Sequence, residues 1–339
     1  MEPDSGAGPE SSLTDSSSGL PTCRWGLWKS SVTAELLPLT NAVGRVLLGK
    51  EKQVRLAFSC LLAGGHLLIE DRPGMGKSTL AEALATVFSL AFKRVSFTSD
   101  LLPADLTGIN VFHQADATFH FQQGPLFTQV LLADEINRAT PKTQGALLEA
   151  MEERQITVDG NTYPLPKPFF VIATQNPISQ MGTYPLPESQ LDRFLMRISL
   201  GYPDPSVERK LLNGFNPRQD MEKLPAAIDG EGLDQLQQSV TRIFVSDALL
   251  DYVQRILAFT RQSNRFNFGL SPRAGMALVQ CSQAYAFVSG REHVIPEDVQ
   301  AVLPAVAEHR LAGSQDVTGH EGQRLVDSVL KQVDVLAGR

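Results

Sequence analysis

The sequence predicts an α/β protein in which a core built on a parallel sheet is followed by a small all-helical domain. Two short apolar runs, residues 67–70 and 130–133, each lead into a polar or glycine-containing segment. Strands of open parallel sheets end in this way at the edge where ligands bind. Beyond residue 230, apolar residues recur almost only at helical spacing. These three observations place the chemistry in the first part of the chain and a helical unit after it.

The composition is that of an ordinary soluble globular protein that is large enough for two domains. The chain has 339 residues, of which 42% are apolar and 20% charged. We expect a disordered Ser/Gly/Pro-rich segment over residues 1–30, an α/β core with inserted hairpins over 31–204, and a helical lid domain over 205–339. The Tyr-Pro-Asp-Pro run at 202–205 marks the predicted boundary between the last two.

Charge, hydropathy and cysteine usage limit the classes of function that are open to this protein. The formal net charge of -7 gives no electrostatic support for nucleic-acid binding. No apolar segment is long enough to cross a bilayer and the N-terminus does not resemble a secretory signal, so we expect no direct membrane insertion. The three cysteines are widely spaced, which indicates a reducing compartment, and the six histidines show no metal-ligand spacing. The expected location is the cytoplasm.

Residues 67–85 predict a strand, a loop and a helix in that order. Gly74 and Gly76 let backbone N–H groups turn inward around an anion, and the positive N-terminal end of the helix points at the same place. Lys77 can reach the outer phosphates of a nucleotide, and the Ser78 hydroxyl can ligate Mg²⁺. Asp71 replaces the first glycine of the G-x-x-x-x-G-K-[ST] pattern, but the phosphate-contacting residues come later. This context favours a nucleotide site over an ordinary glycine-rich turn, with contacts from Pro73, Gly74, Met75, Gly76, Lys77, Ser78 and Thr79.

A break between two predicted helices precedes this loop. Apolar residues recur at helical spacing over 32–48, and a second helix follows a break at 47–51. In many phosphate-loop ATPases this break packs against adenine, which makes Val46, Leu47 and Gly49 candidate adenine contacts. Plain core packing explains the same residues equally well, and both interpretations stay open.

The second chemical element is a pair of adjacent carboxylates at the end of the apolar run 130–133. Asp134 can hold Mg²⁺ through water, and Glu135 can polarise the water that attacks a phosphate. A structural salt bridge is the alternative. The position of the pair after a phosphate-binding loop favours the catalytic interpretation.

Two further polar residues are candidates for a site. Asn176 lies at the tip of a predicted buried strand, 169–177, where it can hydrogen-bond a γ-phosphate or the attacking water. The alternative is a turn-forming Asn before Pro. Arg193 follows a proline-stiffened segment, 182–188. It either pairs with Asp192 on a solvated face or projects at the nucleotide of a neighbouring subunit.

The remaining pattern predicts strands, hairpins and helices around these motifs. Residues 94–97 predict a buried strand, and 197–201 the last strand of the sheet. Two hairpins are expected at 110–121 and at 155–163, the second with an Asp-Gly turn. The predicted lid helices cover 247–261, 272–288, 296–311 and 322–336, and Ser271 is the predicted N-cap of the second of them.

Taken together, these motifs resemble those of the MoxR family of AAA+ ATPases from about residue 40 to 336. Any one motif alone is weak, but the combination is specific. The stretches that carry the resemblance are AGGHLLIE at 63–70, PGMGKS at 73–78, ADEINRA at 133–139, ATQNP at 173–177, GTYPLPE at 182–188, LDRF at 191–194 and SPRA at 271–274.

The resemblance implies an ATP- and Mg²⁺-dependent αβα core with a helical lid, assembled into rings that are usually hexamers. It implies that Asn176 is the first sensor, Arg193 the arginine finger and Arg273 the second sensor, and leaves open whether Arg273 acts in its own subunit or across an interface. Members of the family resemble chaperones that mature or activate other proteins, often with a von Willebrand factor A-domain partner.

Three functions compete at this point. The leading hypothesis is an ATP-driven machine that remodels, matures or activates partner proteins. A second is the ATPase subunit of a metal-chelatase-like complex or of a nucleic-acid motor, which share hairpin insertions. The absence of a basic bias counts against it. A third is a nucleotide-gated scaffold without useful turnover, against which Glu135, Asn176 and Arg193 count.

Overall fold

The computed structural model describes residues 36–176, 182–313 and 325–335. The segment 1–30, for which we expect disorder, lies outside these residues, as do the ends of the predicted helices at 32–48 and 322–336. The first part of the described chain contains, in order, α1 (36–46), α2 (Glu51–Leu62), β1 (His66–Glu70), α3 (Lys77–Val87), β2 (Phe92–Ser96), α4 (Pro103–Thr107), β3 (Gly108–His113), β4 (Thr118–Gln123), β5 (Val130–Asp134), a 3-10 helix (Ile136–Arg138), α5 (Pro141–Glu153), β6 (Gln155–Val158), β7 (Asn161–Pro164), β8 (Phe170–Gln175), α6 (Glu188–Leu191) and β9 (Phe194–Ile198).

The second part is almost entirely helical, as predicted. It contains α7 (Pro205–Leu212), α8 (Pro217–Met221), α9 (Gly230–Val240), α10 (Asp247–Gln262), β10 (Phe266–Phe268), α11 (Pro272–Val288), α12 (Pro296–Ala307), a 3-10 helix (Glu308–Arg310), β11 (Ala312–Gly313) and α13 (Leu325–Gln332). Ser271 caps α11 by accepting the Ala274 N–H at 3.1 Å, and Pro272 occupies the first helical position. The helix predicted to run to residue 311 ends instead at Ala307 and continues as a 3-10 turn.

A five-stranded parallel sheet forms the centre of the core, with strand order β2-β5-β8-β1-β9. The three inner strands are buried along nearly their whole length because helices cover both faces of the sheet. The prediction of a parallel α/β sheet is confirmed. Because parallel strands end at one edge, the segments that follow β1, β5 and β8 are brought together there.

Two predicted strands differ from the structure. The strand expected to be buried at 94–97 is β2, and Lys93 and Arg94 in it are exposed because β2 is an edge strand that pairs only with β5. The last strand, expected at 197–201, is β9 and begins earlier, at Phe194. It ends before Gly201, whose φ of 65° does not fit a strand.

Two hairpins extend from the core on the side of α5. Strands β3 and β4 form one antiparallel pair, and β6 and β7 the other, with Asp159 and Gly160 in the left-handed region at the predicted turn. The two hairpins contact each other: the Phe121 and Tyr163 rings stack with centroids 4.1 Å apart, and Asn110 Nδ2 donates to Asp159 Oδ2 at 2.7 Å. They therefore form one paired unit.

The helical part packs directly on the core. One continuous apolar cluster includes buried residues of α2, α3 and the sheet together with residues of α9 to α13. Polar contacts reinforce this packing: Gln280 Nε2 donates to Ala63 O at 2.6 Å, and His309 Nε2 lies 3.1 Å from Phe194 O. In the part of the chain that the structure describes, no helix has both the length and the apolar character required to cross a membrane.

Two buried histidines are held as neutral rings. His66 Nδ1 accepts the Val171 N–H at 3.0 Å, so its proton is on Nε2, which donates to Met151 O at 3.2 Å. Burial lowers the pKa of His66 to about 4. Burial and the nearby charge of Arg310 also lower the pKa of His309 well below its usual value.

Lowering the pH from 7 to 5 is expected to destabilise the fold. A histidine whose pKa is lowered by folding stabilises the protein above the pKa of the unfolded chain, and this contribution is lost as the pH falls toward the folded pKa. For His66 the loss by pH 5 is about 2 kcal/mol. Thermal unfolding at pH 7 and 5, compared with His66→Gln, checks this. The variant should show a smaller drop in Tm, and an equal drop would contradict the assignment to His66.

Candidate nucleotide-binding site

The loop between β1 and α3 lies at the carboxyl edge of the sheet. Gly74 and Gly76 have φ of 82° and 92°, the left-handed region that glycine adopts without strain. A Cβ added at Gly76 would lie 3.4 Å from Leu47 Cδ2, whereas one at Gly74 would meet nothing within 4 Å. The first turn of α3, which begins at Lys77 directly after Gly76, has no side-chain cap. Its N–H groups are therefore available to an anion.

Lys77 points into this site from the first turn of α3. Its Nζ donates to Asp71 O at 2.6 Å and to Asn176 Oδ1 at 3.2 Å. Burial lowers the pKa of the Lys77 ammonium, and the carboxylates of Asp134, Asp71 and Glu135 partly oppose this effect. A bound anion would favour the charged form further.

The adjacent carboxylates occupy two different environments. Asp134, at the end of β5, accepts the Thr174 hydroxyl at 2.6 Å through Oδ1 and pairs with Arg94 Nη2 at 2.5 Å through Oδ2. Glu135 accepts the Asn176 side-chain N–H at 2.8 Å through Oε1 and pairs with Arg138 Nε at 3.0 Å through Oε2. The salt bridges of the structural alternative are therefore present for both residues. Burial lowers the pKa of Lys77, and both carboxylates also lie close enough to it to oppose this effect through their charge.

The backbone of Glu135 is held in an unusual conformation. Its φ of 57° places it in the left-handed region, which costs free energy for a residue with a side chain. Its N–H donates to Thr174 Oγ1 at 2.9 Å, so the same hydroxyl holds Asp134 and Glu135. Residues in this region cluster at functional sites.

The structure therefore connects four of the predicted site residues, Lys77, Asn176, Glu135 and Asp134, into one network. A hydrogen-bonded chain runs from Lys77 through the Asn176 side chain to Glu135, while Thr174 links Glu135 to Asp134. Sequence reasoning missed Thr174. Its position two residues before Asn176, on the same face of β8, is the signal that could have identified it.

Asp71, which departs from the phosphate-loop pattern, has a structural partner. Its carboxylate accepts the Gly201 N–H at 2.6 Å and the Ser199 hydroxyl at 3.1 Å, and so ties the start of the loop to the connection between β9 and α7. Lys50 Nζ donates to Gly201 O at 3.1 Å and to Tyr202 O at 2.8 Å. The site and the entry to the helical part are thus joined by hydrogen bonds that no local pattern predicts.

The three candidate adenine contacts lie in different places. Leu47 lies beside Gly76, next to the phosphate-binding loop. A Cβ added at Gly49 would lie 3.1 Å from Val207 Cγ2, which puts Gly49 against α7. Val46 is buried. Exposed Tyr202, with the Arg72 guanidinium 5.9 Å from its ring centroid, is a further aromatic group near this place that sequence reasoning missed.

The two remaining candidates, Arg193 and Arg273, lie apart from this network in the described contacts. Arg193 Nη2 pairs with Glu152 Oε2 at 2.8 Å. The alternative prediction is an ion pair between Arg193 and Asp192. In the described contacts the Asp192 carboxylate pairs instead with Arg310 at 2.6 Å and with Arg273 at 3.7 Å. Arg193 lies in the turn before β9, and Arg273, in the first turn of α11, reaches that turn through Asp192. Both side chains are partly exposed.

Comparison with known proteins first identifies the class of protein to which the chain belongs. Residues 66–196 match the family model described as "ATPase family associated with various cellular activities (AAA)", and residues 258–329 match the one described as "AAA lid domain". A crystal structure of a presumed ATPase from Cytophaga hutchinsonii superposes with a TM-score of 0.82 at 32% identity, covering 93% of this chain and 99% of that one. The fold is therefore an AAA+ core with a helical lid.

Relatives that match this chain over most of their own length then identify its family. The chain is 42% identical to YeaC of Bacillus subtilis over 295 residues, 86% of this chain and 92% of that protein. It is 41% identical to "Chaperone MoxR1" of Mycobacterium tuberculosis over 304 residues, 86% of this chain and 80% of that protein. It is 34% identical to "Protein MoxR" of Paracoccus denitrificans, over 80% of this chain and 86% of that one. The chain belongs to the MoxR family of AAA+ ATPases.

Proposed function

We propose that the protein binds and hydrolyses ATP and uses the cycle to remodel, mature or activate partner proteins. The observation that carries the first half is the network of Lys77, Asn176, Glu135 and Asp134 at the carboxyl edge of the sheet. These groups supply a cation, a polar sensor, a general base and a metal-binding carboxylate within one set of hydrogen bonds.

The residues of this site fit a magnesium nucleotide. Gly74 and Gly76 leave room for the backbone to approach phosphate, and Lys77 is the cation nearest to it. The Ser78 hydroxyl and the Asp134 carboxylate are hard oxygen donors of the kind that Mg²⁺ takes together with phosphate oxygens and water. When bound, Mg²⁺ would neutralise charge that develops on the phosphates. Leu47, Gly49 and Val46 are proposed to line the base side.

Glu135 and Asn176 are proposed to act on water. Glu135 accepts a proton from the water whose oxygen attacks the γ-phosphorus, and ADP leaves as the other product with phosphate. The Asn176 amide donates to the Glu135 carboxylate at 2.8 Å and accepts from the Lys77 ammonium at 3.2 Å, so it lies between the proposed base and the proposed phosphate-binding cation. This position supports the first-sensor role.

Arg193 and Arg273 are proposed to act on the nucleotide of a neighbouring subunit. Arg193 is next to Asp192 in the chain and Arg273 pairs with the Asp192 carboxylate. Neither arginine makes a described contact with the Lys77–Glu135 network of its own chain. Both are partly exposed, as groups that complete a site on another subunit must be. This supports assembly into a ring of identical subunits, which we propose is a hexamer.

The work on partner proteins rests on the family and on the hairpins. One relative is named "Chaperone MoxR1". The β3–β4 hairpin, which is paired with β6–β7, leaves Phe112 and Phe119 exposed at 52% and 69%. Exposed aromatic pairs of this kind suit contact with another polypeptide. We propose that the protein acts in the cytoplasm with a von Willebrand factor A-domain partner. We propose residues 1–30, 31–204 and 205–339 as its tail, core and lid.

Lys77→Ala is expected to weaken ATP binding strongly, because the phosphates lose their nearest cation. Isothermal titration with Mg-ATP measures the change. Lys93→Ala, on the exposed face of the edge strand β2, is the matched control and should bind as the wild type does. An unchanged affinity in Lys77→Ala would remove the assignment of the loop as the phosphate site.

Shortening the β6–β7 hairpin at its Asp159-Gly160 turn is expected to uncouple ATP hydrolysis from work on a client. The turn is exposed and lies outside the sheet, so the ATPase core should fold and turn over without it. ATPase rate and activation of a co-expressed A-domain protein are measured together. Loss of folding and hydrolysis in equal measure would identify the hairpin as purely structural.

A further inference from the structure

We propose that Arg310, in the 3-10 turn after α12, is a positioning residue that holds the turn bearing Arg193 in place. The inference rests on the proposed role of Arg193 toward a neighbouring subunit. It concerns a residue of the helical part that belongs to none of the motifs considered above. Through it, the lid would set the position of the arginine that completes the next subunit's site.

Most hydrogen bonds of the Arg310 guanidinium go to one short segment, residues 192–195. Nε donates to Asp192 Oδ1 at 2.6 Å, and Nη2 donates to Phe194 O at 2.8 Å and to Asp192 O at 3.3 Å. Nη1 donates to Leu195 O at 3.2 Å and also to Val306 O in the preceding helix α12. The contacts to Asp192, Phe194 and Leu195 flank Arg193 on both sides in the chain.

The side chain is buried, so these bonds are strong determinants of local position. It is 6% exposed, and a buried charge that loses its partners costs several kcal/mol. The rigid planar fork of arginine donates in several directions at once, whereas lysine is a flexible point charge. Replacement by lysine would keep the charge and lose the geometry.

The partners of Arg310 connect both candidate arginines. Asp192 accepts from Arg310 through Oδ1 and lies 3.7 Å from Arg273 Nη1 through Oδ2. The neighbouring lid residue His309 lies 3.1 Å from the same Phe194 carbonyl that Arg310 uses. The turn is thus fixed from the lid side, while Arg193 itself points away toward Glu152. Arg310 touches neither the phosphate loop nor the carboxylates in the described contacts, so it acts only through this turn.

The test is steady-state ATPase with subunit mixing. Arg310→Lys should fold and keep the KM for Mg-ATP, while kcat falls by up to about 10²-fold, the loss that a small misplacement of a reacting group can cause. Mixing Arg310→Lys with Lys77→Ala subunits should restore activity, because one subunit supplies the phosphate loop and the other an ordered Arg193. Mixing Arg310→Lys with Arg193→Ala should not, because both defects lie on the same edge.

Controls separate this role from general stability. Arg291→Lys disturbs another lid arginine, which pairs with buried Asp298 and does not touch residues 192–195; it should not show this edge-specific pattern. If Arg310→Lys does not fold, Asp192→Asn replaces it in the same mixtures. Recovery in the Arg310→Lys and Arg193→Ala mixture, or an unchanged kcat in folded Arg310→Lys, overturns the positioning role of Arg310 and leaves the proposed role of Arg193 intact. Failure of Arg193→Ala to recover with Lys77→Ala overturns the proposed role of Arg193 as well.

Discussion

Arg193→Ala is expected to fold and to bind ATP but to hydrolyse it about 10³–10⁵-fold more slowly than the wild type. The phosphate loop of one chain provides Lys77 as a cation for the phosphates, while Arg94 and Arg138 of the same chain are paired with Asp134 and Glu135. The charge that develops on the γ-phosphate needs another, and an arginine supplied across an interface contributes on this scale. Steady-state ATPase with parallel titration of ATP binding measures both quantities.

The Glu152 ion pair offers the matched control. If Arg193 were important only because it pairs with Glu152 at 2.8 Å, Glu152→Gln should reproduce the defect of Arg193→Ala. Because the finger must leave Glu152 to reach another subunit, we expect Glu152→Gln to keep or raise the rate. Mixed rings of Arg193→Ala and Lys77→Ala should recover part of the activity, since one kind of interface then has both groups. Absence of recovery despite verified subunit exchange would place Arg193 in its own subunit or in a structural role.

Glu135→Gln is expected to lower the hydrolysis rate by about 10²–10⁴-fold while ATP remains bound. Glutamine keeps the shape of the side chain, and its amide oxygen can still accept the Asn176 N–H that now reaches Oε1 at 2.8 Å. It cannot take a proton from water. Single-turnover hydrolysis and nucleotide retention after gel filtration measure the two effects.

Glu70→Gln is the matched control for this prediction. Glu70 is a carboxylate at the end of the neighbouring strand β1, and it pairs with Arg197 at 2.9 Å, outside the Lys77–Glu135 network. Its substitution should leave most of the hydrolysis rate. An unaffected rate in Glu135→Gln would mean that another residue orients the water, and loss of ATP binding would mean that Glu135 mainly supports the loop.

The sequence predicts those site residues that stand in short motifs along the chain. The glycines and Lys77 form one short motif, and the carboxylate pair forms another. An apolar strand precedes each motif and fixes the edge of the sheet at which the motif lies. Asn176 is brought beside Glu135 because β8 lies next to β5, which a parallel α/β sheet makes natural.

What could not be predicted depends on pairs far apart in the chain. Asp71 meets Gly201, and Arg310 meets Asp192, only after β9 is placed and the helical part packs on it. The exposure of β2 depends on its being an edge strand, which the alternation of its own residues does not reveal. The pairing of Arg193 likewise depends on Glu152 at the end of α5, from which it is separated in the chain by β6, β7, β8 and α6.

The central claim is that ATP is hydrolysed at a site completed by a neighbouring subunit, and the rate as a function of protein concentration tests it most directly. Specific activity of the wild type with Mg-ATP is measured over a dilution series, with light scattering to follow assembly. The account predicts that specific activity rises as subunits assemble and becomes constant once the ring has formed. A specific activity that stays constant down to concentrations at which the protein is monomeric would contradict it.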